Sequence, residues 1–266
     1  MGRFTNYGEI GTRSKTDWRS LAIDAFVQDS WKVRGDLTVE YGVRYAYWPP
    51  WSAQLHNHAH LDPSLLQLAS PALPVGAYSY SQGFEAAVDR KIIRDGATAA
   101  QWIAALLEYV VARMEAPLLL RLIAAWSAGE FPAVERWNAL FLASRETAEL
   151  RAETVQMGYS LRKLLCELAC GDDNPCSQLE RLEEIAFPTA FAYAAARWQI
   201  AAQPALVAYL WAWLENQVMA AVKAVPLGQT EGPRILLALG ERLTAIAERV
   251  MAMAAEELGS FAPSLA

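Results

Sequence analysis

Histidine is almost absent from this 266-residue chain, and its three copies, His56, His58 and His60, share one short tract. Beyond that tract no imidazole is on hand to serve as a base, which excludes Ser-His and Cys-His catalysis there. Cysteine is as rare: Cys166, Cys170 and Cys176 are the only three. An odd number of cysteines, in a chain whose start lacks the positive-then-apolar layout of a signal peptide, is expected to stay reduced in the cytosol. Cys166 and Cys170 lie four apart on one helix face and with Cys176 can meet a soft metal, although packing in an apolar helix is the simpler reading. No Walker-type phosphate loop occurs. No apolar run reaches the roughly 18 residues of a membrane helix. The best candidate, Ala205 to Val222, is interrupted by Glu215, Asn216 and Gln217. Lys and Arg number 23 against 29 Asp and Glu, a net charge of −6, so nucleic acid is not an expected ligand.

What is present is apolar and aromatic. Hydrophobic residues make up 54% and there are ten tryptophans, which excludes a disordered protein. The length fits one large or two modest domains. Residues 1–54 differ from the rest. Leu37, Val39, Tyr41, Val43, Tyr45 and Tyr47 alternate with Thr38, Glu40, Gly42, Arg44 and Ala46, and Leu21, Ile23, Ala25 and Val27 alternate upstream. This period of two predicts a hairpin turning at Arg34-Gly35-Asp36. Phe26 to Val33 followed by Leu37 to Tyr45 resembles a strand pair of TonB-dependent outer-membrane receptors. Two strands cannot close a barrel, and an isolated hairpin is marginal in water, so residues 1–54 are expected to be a fusion or gene-boundary scar, hairpin-like or disordered.

Residues 55–61 form a linker that carries the three histidines. If extended, His56, His58 and His60 can meet nickel, copper or zinc. With no carboxylate or cysteine beside them, a solvated linker is the plainer reading.

From residue 62 to 266 the periodicity is helical. Asp62-Pro63 reads as an N-cap with proline at the first helical position, and Ser70-Pro71 as a stop. Further helices are predicted over Ala99–Glu115, from Pro117 to Trp126, and over Ala133–Leu168 with a possible bend at Gly158. Others run from Phe187, Pro204, Gly232 and Arg242. The fold class is all-α, one bundle of about 8–10 helices.

Three stretches stand out from that background. Leu73-Pro-Val-Gly-Ala-Tyr-Ser-Tyr-Ser-Gln-Gly-Phe-Glu85 joins proline, glycines and hydroxyls between apolar segments, and Ser79 with Gln82 has the spacing of a capping box. Ser144-Arg-Glu-Thr-Ala-Glu-Leu-Arg-Ala-Glu153 is a mixed-charge helix, with Arg145–Glu149 and Glu149–Glu153 four apart. By itself it reads equally well as a solvated face. Val222-Lys-Ala-Val-Pro-Leu-Gly-Gln229 ends an apolar helix with a cation near its last carbonyls and then breaks it.

Together with Leu65–Ser70 and Gln156-Met-Gly158, these three stretches resemble the signature segments of the urease accessory protein UreF family, in the family's order. The resemblance covers about residues 60–266. It implies a non-enzymatic, all-α cytoplasmic homodimer that works with UreD (UreH in some systems), the GTPase UreG and apo-urease in nickel delivery. It also implies that nickel passes through in transit, with no cofactor bound stably, no nucleic acid and no membrane. Carried over by motif position, the partner-binding or nickel-route residues are Pro74, Gly76, Tyr78, Ser79, Ser81, Gly83 and Glu85. The charged helix adds Arg145, Glu146, Glu149 and Arg151, and the later motif Lys223, Pro226 and Gln229. The family's polar tail, which meets UreD, is expected to be truncated at Ala266. A receptor fragment, or a metal-binding protein acting through the histidine tract, is the competing expectation.

Overall fold

The computed structural model describes residues 18–19, 23–34, 37–47, 52–53, 63–71, 73–76, 82–168, 176–228, 230–253 and 259. The chain divides into two compact units, Met1–His60 and Leu61–Ala266. In the first, β2 (Ile23–Arg34) pairs antiparallel with β3 (Leu37–Tyr47) in a register from Ile23 opposite Tyr47 to Arg34 opposite Leu37. The short strands β1 (Trp18–Arg19) and β4 (Ser52–Ala53) form a separate antiparallel pair. The period-two pattern predicts this hairpin.

The second unit is all-α among its described residues. Its helices are α1 (Pro63–Ala69), α2 (Phe84–Asp89), α3 (Gly96–Leu106), a π-helical segment (Leu107–Glu115), α4 (Ala116–Ser127) and α5 (Phe131–Ala143). They continue with α6 (Ala148–Leu168), α7 (Ser177–Glu180), α8 (Phe187–Arg197), α9 (Ala202–Ala224), α10 (Glu231–Gly240) and α11 (Leu243–Met251). Because α3, the π segment and α4 are continuous, they form one long rod.

Long α9 is the hub, packing against α1, α2, α3, α4, α10 and α11. Opposite it, α4 lies along α5 and α8, and α8 lies along α6. Helix α8 can be enclosed on nearly all sides because its interior is small: Ala190, Ala192, Ala194 and Ala195 are fully buried beside Phe191. Large side chains such as Phe84, Phe191, Leu119 and Leu161 contribute about 1.5–3 kcal/mol each by leaving water. Phe187, Phe191 and Tyr209 pack as a ring cluster with centroids 5.3–6.0 Å apart.

The structure corrects or refines the expectations at four points. The helix expected from Ala133 to Leu168 is two, because residues 144–147 break it: the Ser144 hydroxyl donates to the Phe141 carbonyl, and the Thr147 hydroxyl accepts from the Leu150 N–H. At Gly158, α6 presses directly onto the backbone of Ile185 and Ala186, where a Cβ would collide. Pro117 stands in the first turn of α4, as expected, but α4 follows the π segment without a break. The carbonyl of Arg113, four residues back, accepts instead from the Gly259 N–H at 3.3 Å. Lastly, Cys166 and buried Cys176 are joined as a disulfide rather than reduced, their Cα atoms lying 5.6 Å apart; Cys170 lies outside the described residues.

A buried asparagine ties the α7–α8 connection to α5. Asn138 donates to the Glu184 carbonyl at 2.8 Å, and its side-chain oxygen accepts from the Ala186 N–H at 3.0 Å and the Thr189 hydroxyl at 2.8 Å. Its hydrogen bonds to the protein thereby reach three points on the incoming chain.

Candidate functional site

The site forms where the rod, α6 and α9 meet beneath the two ends of the Leu73–Glu85 stretch. It begins with Glu115, the last residue of the π segment, which is buried. Arg145, in the break between α5 and α6, reaches it with Nη1 at 2.7 Å from Oε1. Tyr209 of α9 donates its hydroxyl to Oε2 at 3.0 Å. The Arg145 guanidinium also lies 4.2 Å from the Phe141 ring centroid. Burial opposes its charge, but the Glu115 carboxylate beside it and their hydrogen bond hold it protonated above its ordinary value. Burial, with Glu115 adjacent, pushes the Tyr209 phenol well up, so it remains a donor.

The second half is centred on Gln82. Its amide nitrogen donates to Glu153 Oε1 at 2.8 Å, while its oxygen accepts from Trp213 Nε1 at 2.9 Å and Gln217 Nε2 at 3.2 Å. Glu153 is buried on the first turns of α6. Burial pushes its carboxyl up to about 7, the Gln82 hydrogen bond pulling the other way and Glu115 adding to the rise. Around these groups lies a cavity of about 70 Å³, walled by Leu68, Leu73, Val75, Phe141, Met157 and Phe187 among others. Arg145 Nε and Gln217 Oε1 both belong to residues lining it, are buried, and have no hydrogen-bond partner among the described residues. A donor and an acceptor left open at a polar cavity of this size suit small hydrogen-bonding guests such as water.

Of the described partner-binding or nickel-route candidates, only Arg145 lines this cavity. Gly76 and Gly83 take left-handed φ of 76° and 83°, a conformation glycine adopts freely. Pro74 and Glu85 are exposed, Glu85 in the first turn of α2. Glu146 and Glu149 are exposed, and Arg151 pairs with Glu184. Lys223, in the last turn of α9, and Pro226 are also exposed. Tyr78, Ser79, Ser81, Gln229, His56, His58 and His60 lie outside the described residues.

The capping-box reading of Gln82 is corrected: α2 begins at Phe84 behind Gly83 with no side-chain cap, because the Gln82 amide is bonded to α6 and α9. Glu115, Tyr209, Trp213 and Gln217 were not singled out as site residues. Their signals were present: an acid at the end of an apolar helix, and polar residues interrupting the most apolar run.

Comparison with known proteins covers most of the helical unit. The UreF family model matches residues 93–240, which include every residue of the buried network except Gln82. Curated proteins called urease accessory protein UreF are close relatives. The one from Azoarcus sp. (strain BH72) is 56% identical over 204 residues, covering 76% of this chain and 87% of its own length. That of Dechloromonas aromatica (strain RCB) is 52% identical, covering 76% and 89%. That of Ralstonia pickettii (strain 12J) is 52% identical, covering 79% and 92%.

The chain belongs to the UreF family.

A model of an outer membrane beta barrel domain also matches residues 1–99. The β2–β3 hairpin suits that description, whereas the described residues from 63 to 99 are not strands but helices and their connections. The UreF match thus accounts for the helical unit, and the exposed signature residues become surface candidates on a UreF bundle. Among the described residues no helix is long and apolar enough to cross a membrane.

Proposed function

We propose that this chain is a urease maturation factor: a scaffold that docks and regulates a partner GTPase of the UreG kind and helps pass nickel to apo-urease, without catalysis of its own. The observation that carries this reading is the set of relatives named urease accessory protein UreF, 52–56% identical across most of their length. The distribution of side chains supports it. The charged signature residues Glu85, Glu146, Glu149 and Lys223 are exposed, where a partner can reach them, while the buried network around Arg145 ties their supporting elements together. The partners are a UreD or UreH protein, the GTPase and apo-urease, and the chain acts as a cytoplasmic homodimer. Nickel is cargo in this scheme, passed on through hard oxygen donors such as Glu85 rather than retained.

The test is complementation of a urease-positive host lacking its own UreF. The full chain is expected to restore urease activity. The double variant Glu85→Ala, Lys223→Ala is expected to fold normally, since both side chains are exposed, and to restore markedly less. Full activity from that variant would remove these residues from the docking surface, and no activity from the wild-type chain would overturn the reading.

A further inference from the structure

The 73–85 stretch is anchored at both ends on one cavity. On one side Leu73 and buried Val75 line it; on the other, Gln82 lines it and Phe84 is fully buried behind. Gln82 has a positive φ of 48°, a conformation costly for a residue with a Cβ and kept only where surrounding contacts enforce it. The enforcing contacts are its three side-chain hydrogen bonds, to Glu153 on α6 and to Trp213 and Gln217 on α9. Their polarity is fixed. Trp213 offers only a donor and Gln217 presents its amide nitrogen, so the Gln82 oxygen must face α9 and its nitrogen must face Glu153.

We propose that Gln82 is a positioning latch: its amide, clasped between α6 and α9, fixes the course of the chain at Gln82–Gly83 ahead of α2, and Glu153 makes that clasp responsive to acidity. The consequence for partners rests on the reading of this stretch as a docking surface. Glu153 is well placed for the role. It is buried, and the ionisable groups around it are Glu115 from the π segment, Tyr209 from α9 and Arg145 from the α5–α6 break, while α8 contributes Phe187 to the cavity wall. Arg145 is already engaged by Glu115, and the Gln82 nitrogen donates to the Glu153 carboxyl. A change in the Glu153 charge alters the strength of the bond from Gln82, and through the amide it alters the polarisation of the Trp213 N–H.

The full chain, labelled with ¹⁵N-tryptophan and with Trp213 identified by Trp213→Phe, gives the direct readout. The wild-type Trp213 indole N–H resonance is expected to titrate with pH. In Glu153→Gln it is expected to keep its hydrogen-bonded position but lose that titration. In Gln82→Leu, amide exchange in peptides covering residues 73–86 is expected to quicken about tenfold, with exchange in α8 unchanged. Gln82→Glu supplies a pH-dependent rescue. At acid pH a proton shared with Glu153 restores the clasp and slow exchange; at alkaline pH two facing carboxylates open it. Unchanged exchange in Gln82→Leu, or a Gln82→Glu variant indifferent to pH, would overturn the latch. If Gln82→Leu does not fold, the acid and alkaline behaviour of Gln82→Glu decides. Should exchange and the indole respond as expected while capture of the partner GTPase is unaltered, the latch stands and the docking reading of the stretch falls.

Discussion

Glu108 and Glu115 stand near the two ends of the same π segment, and each is held by arginine. Glu108 faces outward and pairs with Arg242 and Arg249, whose side chains are about half exposed. Glu115 faces inward; its side chain is 6% exposed and that of its partner Arg145 is 9%. The residue types are alike, but the surroundings reverse what the pairing means. In water an ion pair competes with good hydration and is screened by salt, so holding two side chains together yields little. Inside the bundle both ions have lost their water, and each depends on the other and on Tyr209. The inner pair is therefore a requirement of the fold, the outer one an adornment of its surface.

The sharpest way to break this contrast is Arg145→Ala. It leaves the Glu115 carboxylate buried with Tyr209 alone, and a loss of about 3–5 kcal/mol is expected in urea unfolding. A loss under about 1 kcal/mol would mean that water reaches the site freely.

A smaller effect is expected from Glu153→Gln, with a sign set by pH. The Glu153 carboxyl ionises near 7 in the fold and near 4.5 ordinarily. The unfolded chain therefore loses its proton first. Stability falls as pH rises between those values, and the full penalty is present above about 7. Glu153→Gln removes the ionisation, and is expected to stabilise the protein by about 1–3 kcal/mol at alkaline pH and hardly at all at acid pH. Equal effects at both would show that the carboxyl is not held neutral.

The smallest effect belongs to Glu108→Ala, expected to cost less than about 1 kcal/mol and to lose even that in molar salt. Thermal melts at two salt concentrations measure it. A large, salt-independent loss would erase the contrast between the two ends of the segment.

The sequence makes one member of the inner site plain and obscures the others. Arg145 lies in a charged run that stands out from its neighbours. Glu153 closes that run but looks like one more surface acid, because the burial that changes its chemistry comes from α9 and the Gln82 junction. Gln82 sits 71 residues from Glu153 and 135 from Gln217, so no local pattern joins them, and its spacing from Ser79 imitates a cap. Glu115 is hidden by the π register, which shifts the helical period that a face-by-face reading assumes. The helical bundle itself is more legible, since amphipathic periodicity is local. So is the hairpin, whose alternation needs only neighbouring residues. The split between α5 and α6 is not, because Ser144 and Thr147 act through backbone hydrogen bonds that their polarity alone does not announce.

Pro117 has one more consequence, best put in mechanical terms. A residue known for interrupting helices sits here inside a continuous rod, and the carbonyl it leaves unclaimed on Arg113 receives the Gly259 N–H. The interruption works as a socket: it fastens a late segment of the chain to the middle of an early one. Gly259 is thereby tied to Arg113, two residues from the carboxylate at the heart of the bundle.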